Sequence, residues 1–116
     1  MKKVALVTAL AITIAILFVG TAIAAPTAVG AEKCKPCHPT QYSSWAASKH
    51  AAAKVECETC HGPGSDYKAM PVMKDPARSK AAGLIAKPAK ASCTAKCHKT
   101  GFKDDMLAKV HEHKKK

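Results

Sequence analysis

Three short segments of the chain each bring two thiols and an imidazole into one local turn: Cys34-Lys35-Pro36-Cys37-His38, Cys57-Glu58-Thr59-Cys60-His61 and Cys93-Thr94-Ala95-Lys96-Cys97-His98. In each, histidine follows the second cysteine directly. Two thiols at this spacing can add to the two vinyl groups of one porphyrin while the next imidazole reaches the iron between them, which is the chemistry of a CxxCH haem attachment site. The third segment is CxxxCH. Cys97 and His98 keep their relation there, so iron ligation is preserved and the extra residue need only widen the loop. Paired cysteines can also hold zinc or form disulfides. With six His among 116 residues, however, a histidine after all three pairs would arise by chance about once in ten thousand, which favours haem. Three covalent haem c groups are expected, attached through Cys34, Cys37, Cys57, Cys60, Cys93 and Cys97, with His38, His61 and His98 as proximal ligands.

Three irons have six axial positions, and the chain has three histidines outside the motifs: His50, His111 and His113. Each is therefore a candidate distal ligand. An unbroken helix from His38 to His50 would separate the two by about 18 Å along its axis, too far to clamp one iron, so His50 suits a haem held by another motif unless Pro39 folds the chain back. His111 and His113 are two residues apart, and a continuous helix would point them to nearly opposite sides. His113 then either leaves the helix or reaches an iron in a neighbouring molecule. Met70, Met73 and Met106 are alternative ligands, although gap-filling packing is the commoner use of methionine.

The elements that must position these groups are short and helical. Pro39 and Thr40 mark the start of a helix over residues 41–54, with Tyr42 and Trp45 packing on a haem face. In Gly62-Pro63-Gly64 the backbone can approach a neighbour closely, here the haem edge. Asp75-Pro76 starts a helix over 77–86, with Leu84 and Ile85 inward and Pro88 as its stop. Asp104 or Asp105 caps a last helix carrying Met106, Leu107 and Val110 inward. Residues 25–33 read as a polar lead-in. The expected fold is mainly α, short helices and loops wrapped around closely packed haems, with little or no sheet.

Length bounds the chain to one domain behind a leader. Lys2 and Lys3, the apolar run 4–19 and Ala22-Ile23-Ala24 have the form of a secretory signal, so residues 1–24 are expected to be removed and 25–116 to form the trihaem domain. The apolar run is just short of what a spanning helix needs, and a retained anchor is the alternative. The mature part has one Trp, two Tyr and one Phe, and its alanines bury little area, so the porphyrins themselves must supply the core. Lys2 and Lys3 account for two of the 19 Lys and Arg, leaving 17 against eight Asp and Glu. Haem propionates would offset much of that charge. The lysines are scattered without interleaved aromatics, which argues against nucleic acid.

The pattern CxxCHxxQYxSWxxSxHA, followed by CETCHGPGSDYKAM, VMKD with AAGL, a third haem motif and a terminal KVHEH, resembles the small multihaem cytochromes c related to the cytochrome c-554 domain. The resemblance spans essentially the whole mature chain. It implies a periplasmic or cell-surface electron carrier with closely stacked haems and with His50 and His111 as distal ligands. Two departures stand out: a well-known member holds four haems where this chain has three motifs, and some relatives have His where Tyr67 stands. Which iron takes which sixth ligand is left open. Electron transfer between other redox proteins, without substrate chemistry, is the expected function, with no membrane span in the mature form. Pairing or stacking of subunits into longer haem arrays is compatible with it. The alternative is a haem enzyme or sensor with one open iron for nitrogen oxides, O2 or CO.

Overall fold

The computed structural model describes residues 22–112. The expected leader falls largely on residues outside this range, as do His113 and the lysine tail. The described residues form a 3-10 turn, Ala31–Lys33, and seven short helices: α1 Pro39–Ala46, α2 Lys49–Ala52, α3 Cys57–His61, α4 Met70–Met73, α5 Pro76–Ala81, α6 Lys90–Thr94 and α7 Met106–Lys109. No strand occurs among them, and the fold is mainly α as expected. No helix among them is long and apolar enough to cross a membrane.

The expected 41–54 helix is divided in two. Pro39 occupies the first turn of α1, where its missing N–H costs nothing. The helix stops at Ala46, because Ser48 turns extended and its hydroxyl accepts the Ala51 N–H at 3.3 Å, starting α2 afresh. The Trp45 indole N–H donates to Val55 O at 2.8 Å and Val55 N–H to His50 O at 2.8 Å, which fixes the corner. Trp45 is thus a brace between the first two motifs, and its ring lies 5.5 Å from that of Tyr42.

The expected 77–86 helix is shorter, ending at Ala81. Asp75 caps it, accepting from Ala77 N and Arg78 N at 2.9 and 3.0 Å. The stop is Gly83, not Pro88: Gly83 has φ 94°, and the Gly83 and Leu84 N–H groups bond back to Lys80 O and Ser79 O, both at 3.0 Å. This frees residues 83–85 to run along α3, and Ile85 is exposed (47%) rather than inward. In the last helix Met106 is also exposed, and Asp105 stands at the N-cap without a capping bond because its carboxylate pairs with Lys109.

The turn at 62–64 is close-packed against protein. A Cβ on Gly62 would meet Gly83 O at 2.2 Å, and one on Gly64 would meet Glu58 Oε1 and Val29 Cγ2 at 2.9 Å. The expected close approach exists, and its partners here are the Gly83 backbone, the Glu58 carboxylate and the Val29 side chain. The lead-in is likewise docked. Thr27 and Ser65 exchange two hydrogen bonds, at 2.9 and 3.1 Å. Glu58, inside the second motif, accepts from Val29 N at 2.9 Å, Gly30 N at 2.7 Å and Gly64 N at 2.6 Å. A hydrogen bond to a charged acceptor contributes ~1.5–3 kcal/mol, and stranded donors add a penalty. Glu58→Ala should therefore lower the stability of the haem-loaded protein by roughly 2–4 kcal/mol in denaturant titration, with Glu58→Gln recovering part of the loss.

Among the described residues no large side chain is fully buried. The buried side chains are those of Ala31, Ser79 and Ala82. Among the described residues the polypeptide alone has almost no core.

Candidate haem-binding site

The first and third motifs are built on the same bond despite their different lengths. His38 N–H donates to Cys34 O at 2.9 Å, and His98 N–H to Cys93 O at 2.9 Å. In both, the ligand's amide closes onto the carbonyl of the first cysteine. The extra residue of the third motif is taken up by a wider turn, and Cys97 and His98 remain adjacent at its end. The second motif is α3 itself. All six thiols are unpaired with one another as disulfides. Among the described residues no group of three or more His, Cys, Asp or Glu is placed to hold a metal ion, so the cysteines do not converge as a structural zinc site requires.

The histidines meet in pairs. The rings of His50 and His98 have centroids 6.0 Å apart and planes at 87°, and those of His61 and His111 are 5.9 Å apart at 52°. Two imidazoles on opposite sides of one metal, each bonded at about 2.0 Å, have ring centres roughly 6.3 Å apart. Both pairs have the separation of axial ligands. In each, one member belongs to a motif and the other is one of the extra histidines of the sequence.

The supporting contacts set the tautomers. His61 Nδ1 lies 2.8 Å from Ile85 O, and Ile85 N–H donates to His61 O at 2.9 Å. With the proton on Nδ1 donated to that carbonyl, the lone pair lies on Nε2, which is then the nitrogen able to bind a metal. His111 Nδ1 lies 2.9 Å from Glu112 O, and Glu112 N–H donates to Ser44 Oγ at 2.8 Å, which ties the end of the chain to α1. An open cavity of about 700 Å³, lined by His111, Leu107, Pro88 and Ser44 among others, lies beside this end. That is within the 300–1,000 Å³ usual for cofactor sites. Thiol pairs next to imidazoles at axial separation fit a covalently held haem, and the cavity borders His111 without reaching a thiol.

Thiol electrostatics place the motifs relative to one another. A hydrogen bond between Cys34 and Cys57 lowers the Cys57 thiol to about 7 and pushes Cys34 up, so the first two motifs are in contact. Burial raises Cys60, and the neighbouring Cys93 and Cys97 raise it further. Tyr67 is raised by burial and then by Cys34 and Cys37, which puts it beside the first motif. The second motif thus lies close to both the first and the third.

All twelve candidate residues except His113 lie within the described range. His50 meets a motif other than its own, as the length of the intervening segment predicts. Three contributors escape sequence reading: Glu58, the Ile85 carbonyl and Ser44. Glu58 carried a signal, an acidic residue in the first turn of a helix that precedes Gly-Pro-Gly. The other two act through a backbone atom and a lone hydroxyl, which no motif announces.

No curated protein and no solved structure matches the chain. A family model described as cytochrome c554 and c-prime matches residues 33–54. That segment runs from the first motif through Trp45 to His50, so the match falls on a candidate attachment site, its brace and a candidate distal ligand, and over these residues the chain is similar to the cytochrome c554 family.

Proposed function

We propose that this chain is an exported trihaem c-type cytochrome that passes electrons between redox partners and performs no substrate chemistry of its own. The relation to the cytochrome c554 family supports covalent haem c and electron transfer. The observation that carries the finer reading is the two pairs of neighbouring imidazoles, with centroids 6.0 and 5.9 Å apart. In this reading His50 is the distal ligand opposite His98, and His111 is the distal ligand opposite His61. His113, the remaining candidate ligand of the sequence, lies outside the described residues. The haem, once held, supplies an iron that cycles between Fe(III) and Fe(II). With imidazole on both faces the residues leave no position for substrate, and the absence of a methionine ligand keeps the potentials low. The form of residues 1–24 supports export to the periplasm or cell surface.

Intact mass of the denatured, purified protein tests the count and the cleavage together. Three haem additions on a chain beginning near Ala25 are expected. Fewer than three would remove the third site, where Cys97→Ala should be the most damaging change. A shift of the reduced spectrum on adding CO would reveal an open iron and favour the enzyme or sensor reading instead.

A further inference from the structure

The two imidazole pairs are held by different devices. The His61 ring is fixed by its hydrogen bond to Ile85 O, whereas the ring contacts of His98 among the described residues are with His50 and Phe102. Phe102 is half-buried, and its ring lies 6.2 Å from that of His98, the planes inclined at 63°. That is the edge-to-face arrangement aromatic rings favour, with centroids ~4.5–7 Å apart. The phenyl ring is itself held, since the Lys90 ammonium lies 5.4 Å from its centroid and pairs with Asp104 at 3.0 Å. The chain brings Phe102 back to His98 by reversing at Gly101, whose φ of 74° suits glycine alone without strain. A Cβ at Gly101 would meet nothing within 4 Å, so the glycine serves the backbone angle and not a lack of space. An imidazole bound to iron keeps one freedom, rotation about its bond to the metal. A phenyl ring packed against it restricts that rotation, and His98 stays across the plane of His50, at 87°.

We propose that Phe102 is a positioning residue for the third haem: it holds the His98 plane across that of His50 and thereby raises the potential of that iron. This rests on the trihaem reading, with His50 and His98 on one iron. Low-spin Fe(III) has one hole among its π-type d orbitals. Two parallel imidazoles both donate into the orbital that carries the hole, which stabilises Fe(III). Two perpendicular imidazoles overlap different orbitals, so only one donates into the hole and Fe(III) gains less. Reduction by one electron fills the hole, and it is therefore easier with the planes crossed. The same crossing leaves the two orbitals nearly equal in energy, which is what makes the ferric resonance strongly anisotropic.

The test is a redox titration of the haem-loaded protein with dithionite, which gives one electron to each iron, while electron paramagnetic resonance follows every low-spin ferric component separately. Pyridine haemochrome first counts the haems. Fewer than three in the unsubstituted protein would sink the trihaem reading and this proposal with it, whereas three haems without a strongly anisotropic component would overturn the proposal alone. Phe102→Leu should keep all three irons low-spin and replace the strongly anisotropic component, about a third of the low-spin intensity, by a more rhombic one that is reduced at lower potential. The component of the His61 and His111 pair should stay in place, at its own potential. Phe102→Tyr keeps the ring and should keep the original resonance. Gly101→Ala leaves the phenyl group but strains the turn, so it should move the resonance as Phe102→Leu does, and it decides the matter if Phe102→Leu loses haem. An unmoved resonance in both Phe102→Leu and Gly101→Ala overturns the proposal. So does high-spin iron in Phe102→Leu, because the ring would then keep His98 bound and not oriented. A lower potential at an unmoved resonance would mean that Phe102 only shields the iron from water, and a moved resonance without a fall in potential would mean that the plane angle does not tune it; either overturns the proposal.

Discussion

The chain made without haem, with all six motif cysteines replaced by alanine, should be unfolded. Its far-UV circular dichroism should lack the helical minima of the loaded protein, and it should show no cooperative thermal transition. Ordering the backbone costs about 1–2 kcal/mol per residue. Burial of apolar side chains at about 25 cal/mol per Å² is what normally offsets that cost. Here the buried apolar side chains among the described residues are two alanines, Ala31 and Ala82. The described helices offer no rescue, since the longest among them, α1, has eight residues, and isolated helices below ~12–15 residues are marginal in water. A cooperative transition in the haem-free chain would show that the polypeptide has a core of its own.

The distal ligands provide the second large effect. His50→Ala and His111→Ala should each convert one iron of the loaded protein to high spin, removing about a third of the low-spin signal. The two losses should be distinguishable. The His50 and His98 planes are nearly perpendicular, at 87°, whereas His61 and His111 meet at 52°. Perpendicular axial planes give the more anisotropic low-spin ferric resonance. His50→Ala should delete that component of the electron paramagnetic resonance spectrum and leave the other. If His50→Ala and His111→Ala remove the same component, the pairing is wrong. If neither produces high-spin iron, these histidines are not ligands.

What could be read from sequence was whatever is local. A motif of five or six residues specifies its own turn, and the carbonyls of Cys34 and Cys93 receive the ligand amides in the way that chemistry demands. Helix starts were legible at Pro39 and at Asp75-Pro76, because a cap is decided by one or two side chains. Helix ends were harder. Ser48 looks like any small polar residue inside the pattern, yet it interrupts the helix by capping Ala51 N–H, and the Trp45 contact with Val55 O fixes the corner that results. Gly83 is itself a stop signal and carries more information than the more conspicuous Pro88. The pairing of His50 with His98 and of His61 with His111 joins segments far apart in the chain, which no periodicity encodes. The inward placement of Ile85 failed for the same reason: its backbone, rather than its side chain, is what the fold uses.

The docked lead-in sets an order of assembly. A chain emerges amino end first, yet the groups that secure Thr27, Val29 and Gly30 arrive 28 to 38 residues later, on Glu58 and Ser65. Until then those amides have only water to bond. When they close, the first motif, Trp45 and His50 are all caught inside a single loop whose two ends are tied together, at a closure cost that grows only slowly with loop length. In the trihaem reading, Cys34 and Cys37 would be available for haem before the loop closes, whereas Cys57 and Cys60 flank Glu58, the residue that closes it. The middle site is the latch of the molecule, and a fusion partner placed immediately before Thr27 would hinder its closing.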